Sequence, residues 1–198
     1  MINYSDRMAD ALVDVLRYSN ADVEWPEPSD LKPNDGVSPE WFYPTIESEL
    51  YSEISSILQY TQQAGLYDDT IGELTLGIAL VEMKHYASVR DAIIALGGTL
   101  PQPYSNKNII LGNTPVEALA LAAEGEIATI KFYKSIELKL SGNTDSVNIT
   151  RQLLNKLIAD ERLHLTLINQ KLKSMTDDKE KYETVVKNLL PEIEAFTL

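Results

Sequence analysis

The chain of 198 residues contains no cysteine. That excludes structural disulfides, cysteine-ligated zinc, iron–sulfur clusters and a rubredoxin-type iron site on this chain. Positive charge is also scarce: 17 Lys and Arg stand against 30 Asp and Glu, for a formal net charge of -13. Such a balance argues against a nucleic-acid backbone or an anionic membrane surface as partner. It aids solubility and is compatible with attracting metal cations. No apolar run approaches the length needed to span a bilayer. Residues 1–20 alternate polar and apolar side chains with no apolar h-region, so a cytoplasmic, unprocessed, soluble chain is expected. The length favours one domain with a sizeable core and appended helices.

Histidine occurs only twice, and both copies have the same neighbour. Glu82-Met83-Lys84-His85 and Glu161-Arg162-Leu163-His164 each place a Glu three residues ahead of the His, inside an amphipathic helical pattern where i and i+3 share a face. Each unit offers a carboxylate and an imidazole side by side. Two further glutamates lie in matching contexts. Glu53 is followed by Ser56, Ile57 and Tyr60, and Glu126 by Thr129, Ile130 and Tyr133. Offsets of three, four and seven fall on one helical face. The order Glu, Glu-x-x-His, Glu, Glu-x-x-His is therefore an internal repeat of a two-helix unit.

The spacing predicts an all-α chain of three parts. Residues 1–44 form an N-terminal extension, with a short helix over Ser5–Ser19 capped by Ser5 and then a segment with Pro26, Pro28, Pro33 and Pro39, too rich in proline for a long helix. Trp25 and Trp41 would anchor that segment on the helices or serve in binding. Residues 45–175 form a four-helix bundle. Its first helix begins at Pro44-Thr45, with Thr45 as cap and Glu47 and Glu49 at the positive end of the dipole, and runs to about Gly65. The second runs from Asp69 to Leu96 and stops at Gly97-Gly98. A long loop from Thr99 to Asn113 crosses the bundle, so that the third helix starts at the end where the second started. Thr114, Pro115 and Glu117 cap the third helix, which reaches about Leu140, and the fourth runs from Thr144-Asp145 to about Ser174. Residues 176–198 supply a fifth helix, kinked or ended by Pro191. Asn148-Ile149-Thr150 matches a glycosylation acceptor, which a chain without a secretory signal would not use.

In such a bundle Glu53, Glu82, Glu126 and Glu161 meet at one level with His85 and His164. Four unpaired carboxylates there would repel, and burying them ionised without partners is very costly. Two divalent cations cancel four negative charges. Oxygen ligands with neutral imidazole suit iron or manganese. The adjacent Glu124 is the wrong candidate on the third helix, because its offsets carry Ala128 and Lys131 where Glu126 has Ile130 and Tyr133. Tyr60 and Tyr133 either pack in the core or bond a ligand carboxylate through their hydroxyls. Asp160 either faces solvent or accepts a hydrogen bond from His85, and Val81 holds its place in the first unit, so His164 needs another acceptor.

These motifs, together with Ser52-Glu53 through Gln59-Tyr60 and Ile94-Ala95 leading into Leu96-Gly97-Gly98, resemble the rubrerythrin and bacterioferritin branch of the ferritin-like superfamily over roughly residues 47–172. The resemblance implies a ferritin-like four-helix bundle holding two iron ions, or manganese, on Glu53, Glu82, His85, Glu126, Glu161 and His164. It implies an oxidoreductase that reacts with dioxygen or hydrogen peroxide. The chain departs from the family in lacking the cysteine-ligated electron-transfer iron, so a separate electron donor is implied. Ser56 and Thr129 stand where such families often have Ala, and no haem-ligating Met is identifiable. The alternatives are an iron-storing shell and a helical protein with a vestigial metal site. A homo-oligomer, dimer or larger, is expected.

Overall fold

The computed structural model describes residues 15–47, 52–101, 109–176 and 178–198. Among the described residues seven α-helices follow in order: α1 Tyr43–Ile46, α2 Glu53–Leu66, α3 Gly72–Ala95, α4 Pro115–Glu137, α5 Asp145–Met175, α6 Lys179–Val185 and α7 Leu190–Phe196. Among the described residues there is no strand, and no helix is long and apolar enough to cross a membrane.

The four long helices pack as two antiparallel pairs. In the first, Glu53 of α2 lies opposite His85 of α3, while Ala64 packs with Leu76, so the numbers rise along one helix as they fall along the other. In the second, α4 carries Ile136 into the same apolar cluster as Leu153 and Leu154 of α5, and Leu119 into the same cluster as Ile168 and Leu172. The connection from α3 to α4 runs between opposite ends of the helices. Just after α3, the Thr99 N–H donates to the Tyr43 hydroxyl at 3.3 Å. Just before α4, Gly112 O accepts from the Tyr67 hydroxyl at 2.7 Å and Leu111 O from Gln63 Nε2 at 3.1 Å, at the end where α2 finishes. Residues 102–108 of that connection lie outside the description.

The ends of these helices follow local chemistry. Gly97, at φ 83°, sends its N–H to Ile94 O while Gly98 N–H reaches Ile93 O, the paired bonds of a left-handed C-terminal stop. Thr114 accepts from Glu117 N–H at 3.1 Å, and Thr144 from Val147 N–H at 3.3 Å, so both hydroxyls satisfy donors that the first turn leaves free. The Glu117 carboxylate reaches back one residue further than a capping box requires, to the Asn113 N–H at 2.8 Å.

Three expectations are corrected. The first bundle helix is not continuous from Thr45. A one-turn helix, α1, ends at Ile46, Glu47 after it is extended at a ψ of 152°, and α2 starts afresh at Glu53 behind the cap Ser52. Thr45 is no cap: it is buried and its hydroxyl donates to Phe42 O at 2.7 Å. Glu49 lies outside the described residues. The C-terminal piece is two short helices, not one, since the chain turns between Val186 and Leu189. Pro191 sits in the first turn of α7, where its missing N–H costs nothing, so it starts a helix instead of ending one. Of the helix expected over Ser5–Ser19, the described part is a single 3-10 turn, Val15–Tyr18, and the rest, with its cap Ser5, lies outside the description.

Residues 19–42 lie along the helices as an extended segment with 3-10 turns at Pro28–Asp30 and Pro39–Trp41. Leu31, Val37 and Phe42 enter the core cluster of Ile93, Leu154 and Leu157, and Trp25 and Trp41 pack against it half-buried. The segment is pinned to the start of α5, where Asp35 accepts from the Ser146 N–H at 3.0 Å and Thr144 donates to Asp35 O at 2.7 Å. Each fully buried Leu, Ile or Val contributes about 1.5–3 kcal/mol. Two such apolar clusters, one toward each end of the long helices, flank a middle layer that is polar and buried. Their burial offsets the cost of that layer.

Candidate metal centre

The middle layer consists of Glu53, Glu82, His85, Glu126, Glu161 and His164, none more than 3% exposed. Each of the four long helices contributes. Glu53 is the first residue of α2; Glu82 and His85 lie in mid-α3, Glu126 in mid-α4, and Glu161 and His164 in mid-α5. Glu124 is exposed on the opposite side of α4, and its neighbour Lys131 bonds Glu192 at 3.0 Å near solvent.

Ligand atoms converge in two groups, Glu53–Glu82–His85–Glu161 and Glu82–Glu126–Glu161–His164, with all atoms of a group within 4.8 Å of one another. Glu82 and Glu161 belong to both groups, so these carboxylates can bridge two ions while Glu53 and Glu126 each serve one. His85 turns Nδ1 inward, 2.9 Å from Glu82, 3.2 Å from Glu161 and 3.6 Å from Glu53. His164 turns Nδ1 inward as well, 3.1 Å from Glu82, 3.3 Å from Glu161 and 3.7 Å from Glu126. Yet His164 Nδ1, Glu82 Oε1 and both Glu161 oxygens make no directed hydrogen bond. Buried polar atoms left this way cost about 1–3 kcal/mol each. Atoms aimed at a common point, too close to ignore one another and bonded to nothing, fit a cation between them.

Charge gives the same answer. Burial, reinforced by Glu82, pushes the Glu53 carboxyl up to about 8. Burial with Glu82 and Glu126 nearby likewise holds Glu161 well above the usual carboxylate range. Burial works against an ionised Glu82 too, but its contacts with His85 and His164 win and hold it low. Burial opposes a charged His85, and Glu82, Glu161 and Asp160 overcome it, raising the imidazole well above its ordinary value. His164 is raised in the same way against its burial by Glu126, Glu161 and Glu82. Without metal, protons hold the layer together. Two divalent cations would replace them and balance four carboxylates.

The outer bonds fix the ligands. Tyr60 donates to Glu126 and Tyr133 to Glu53, so each tyrosine of the repeat holds the glutamate of the other half. Burial, with the adjacent glutamates, raises both phenols, which therefore keep their protons. His85 Nε2 lies 3.2 Å from Asp160 Oδ2, which stands behind it as an acceptor. His164 Nε2 donates to the backbone carbonyl of Tyr18 at 2.9 Å. A proton held on each Nε2 leaves Nδ1 with the lone pair that a metal takes.

Two participants have no counterpart among the residues picked out from sequence. Lys156 is almost fully buried, and its ammonium donates to Asp160 Oδ1 at 2.9 Å, Ser19 Oγ at 2.9 Å and Asn20 O at 2.6 Å. Contacts with His85 and Lys156 keep Asp160 ionised against its burial. A lysine four residues before Asp160, among Leu153, Leu154 and Leu157 on the apolar side of α5, was the available signal. The Tyr18 carbonyl carries no side-chain signature at all. Trp25 lies over this network, its ring centred 5.9 Å from that of His85 and facing the ammonium groups of Lys84 and Lys156 at 5.1 Å and 5.2 Å. Comparison of the chain with protein-family models, with curated proteins and with solved structures returned no match.

Proposed function

We propose that this chain is a di-metal carboxylate protein of the ferritin-like kind, with two iron ions or manganese in their place, acting as an oxidoreductase on dioxygen or hydrogen peroxide. The observation that carries the reading is the convergence of six buried ligands into two groups that share Glu82 and Glu161. One imidazole and three carboxylates for each position form a hard, oxygen-rich donor set, which suits iron or manganese better than the softer ions that thiolates select.

In this reading each side chain has a distinct task. Glu82 and Glu161, common to both groups, would help hold both ions. Glu53 and Glu126 complete one position each, held by Tyr133 and Tyr60. His85 and His164 present Nδ1 because Asp160 and the Tyr18 carbonyl occupy Nε2. The two phenols keep protons within reach of the ligand carboxylates, and the apolar clusters on either side exclude bulk water. When bound, a reduced iron pair supplies electrons to the oxidant. The absence of cysteine leaves no thiolate-held iron on the chain to restore them, so reduction falls to a separate donor.

The test is elemental analysis after reconstitution with ferrous ion, then stopped-flow absorbance on mixing that form with peroxide or oxygen. Two ions per chain and a rapid oxidation transient are expected. Metal content near zero after reconstitution would end the proposal, and two ions without oxidation would reduce it to metal binding.

A further inference from the structure

We propose that the two metal positions are inequivalent and fill in order, the position at His85 first. The inference rests on the di-metal reading above. Each position has one imidazole and three carboxylates, with two of those carboxylates in common, so the inner donors do not distinguish them. The difference lies behind the histidines. Nε2 of His85 faces a fully buried carboxylate, Asp160, at 3.2 Å, whereas Nε2 of His164 faces a neutral carbonyl, that of Tyr18, at 2.9 Å. A carboxylate draws the Nε2 proton more strongly than a carbonyl does, which makes the opposite nitrogen a better donor, and it places negative charge near the cation.

The internal repeat shows where the asymmetry arises. Val81 holds in α3 the place that Asp160 holds in α5, and Gly77 the place of Lys156. Without a carboxylate on α3, His164 takes its acceptor from the N-terminal segment. Gly77 is what admits that segment: a Cβ there would lie 2.2 Å from Cε2 of the Tyr18 ring. Lys156 tempers the effect of Asp160 without cancelling it. Its ammonium bonds Oδ1 and not Oδ2, and is shared with Ser19 Oγ, Asn20 O and the Trp25 face, while Oδ2 faces His85 Nε2 at 3.2 Å with the Ser19 hydroxyl at 3.3 Å.

The experiment is titration of the stripped full chain with Co(II), followed by calorimetry and by visible absorption. Two steps are expected, separated by at least about tenfold in affinity, the lower end of what an acceptor behind a ligating histidine is worth. Asp160→Asn should weaken the first step and spare the second. Gly77→Ala, which displaces the Tyr18 ring, should weaken the second and spare the first. The double variant Asp160→Asn/Lys156→Met removes both buried charges and serves if the single variant at Asp160 does not fold. A single step taking up two ions would overturn the ordering while leaving the di-metal reading intact. Loss of the second step in the double variant would overturn the assignment to His85. No Co(II) uptake at all would remove the di-metal reading and this inference with it.

Discussion

Tyr133 hydrogen-bonds Glu53 across the core, from the C-terminal part of α4 to the first residue of α2. The bond matters because Glu53 has little else to hold it. It sits at a helix start, behind the cap Ser52, and not in the middle of a helix as the other candidate ligands do. Tyr60 does the reciprocal service for Glu126, which α4 already holds on both sides.

Tyr133→Phe should therefore cost stability, and more of it when metal is bound. In the stripped protein the Glu53 carboxyl, pushed up to about 8, is neutral at pH 7 and the lost hydrogen bond is an ordinary one. About 0.5–1.5 kcal/mol is the usual worth of such a bond, and about 1.5–3 kcal/mol that of a bond to a charged group, which Glu53 becomes on metal binding. Urea unfolding with and without Mn(II) measures both. Equal losses in the two states would mean that Glu53 does not change charge when metal arrives.

On α4 the choice of ligand is open to direct test. Glu126→Ala should abolish one of two bound ions or lower the affinity of both, because Glu126 is buried beside His164. Glu124→Ala should leave stoichiometry unchanged, since Glu124 is exposed. Elemental analysis of the two purified variants decides it, and the opposite pattern would place the wrong face of α4 toward the core.

Acidity supplies a third prediction, and the signs agree. Metal takes the place of protons on His85, His164, Glu53 and Glu161, all of which have raised values in the metal-free protein. Loading releases those protons, so affinity rises with pH. The metal-free fold behaves oppositely. The stabilisation from a histidine with a raised value is complete below its unfolded value near 6.5 and is lost as pH climbs through the folded one. A carboxyl raised on folding, such as Glu53 at about 8, keeps a proton that the unfolded chain has released, and this also costs stability as pH climbs. Glu82 and Asp160, both lowered, are ionised in either state across this range and add no slope. The gap in unfolding free energy between Mn(II)-loaded and stripped protein, measured by urea unfolding, should widen from about pH 6 to about pH 8.5, by up to about 1.4 kcal/mol per pH unit for each proton exchanged. A constant gap would show that no protons are displaced.

How much of this was legible in the sequence depends on what kind of group does the work. The six candidate ligands were, because side chains with distinctive chemistry recur at helical offsets and because the repeat supplies each with a twin. The cap at Thr114 was legible for a similar reason, since a hydroxyl before a helix has one local task, and Thr144-Asp145 marked the start of α5. The start of α2 was not. Pro44-Thr45 does begin a helix, but one turn long, and nothing local distinguishes a start that propagates from one that tertiary packing cuts short. The acceptor for His164 was illegible in principle, because every residue carries a carbonyl and only the path of the N-terminal segment brings that of Tyr18 to Nε2.

Lys156 and Asp160 offer the last prediction, because a buried ion pair beside the candidate metal site is held by more than its own attraction. Removing one partner of such a pair costs about 3–5 kcal/mol when the other charge is left uncompensated. Lys156→Met leaves Asp160 with hydrogen bonds from Ser19 Oγ and the Asn20 N–H and a contact with His85, so its loss should fall at the low end, near 3 kcal/mol. Asp160→Asn leaves the ammonium with Ser19 Oγ and Asn20 O, which are neutral, and should cost at least as much. The double variant Asp160→Asn/Lys156→Met has no charge to strand. Its stability should exceed that of either single variant, giving a coupling of at least about 3 kcal/mol in a double-mutant cycle measured by urea unfolding. Additive losses would mean that the two groups act independently and that the N-terminal segment, held by both, is anchored by the Ser19 and Asn20 bonds alone.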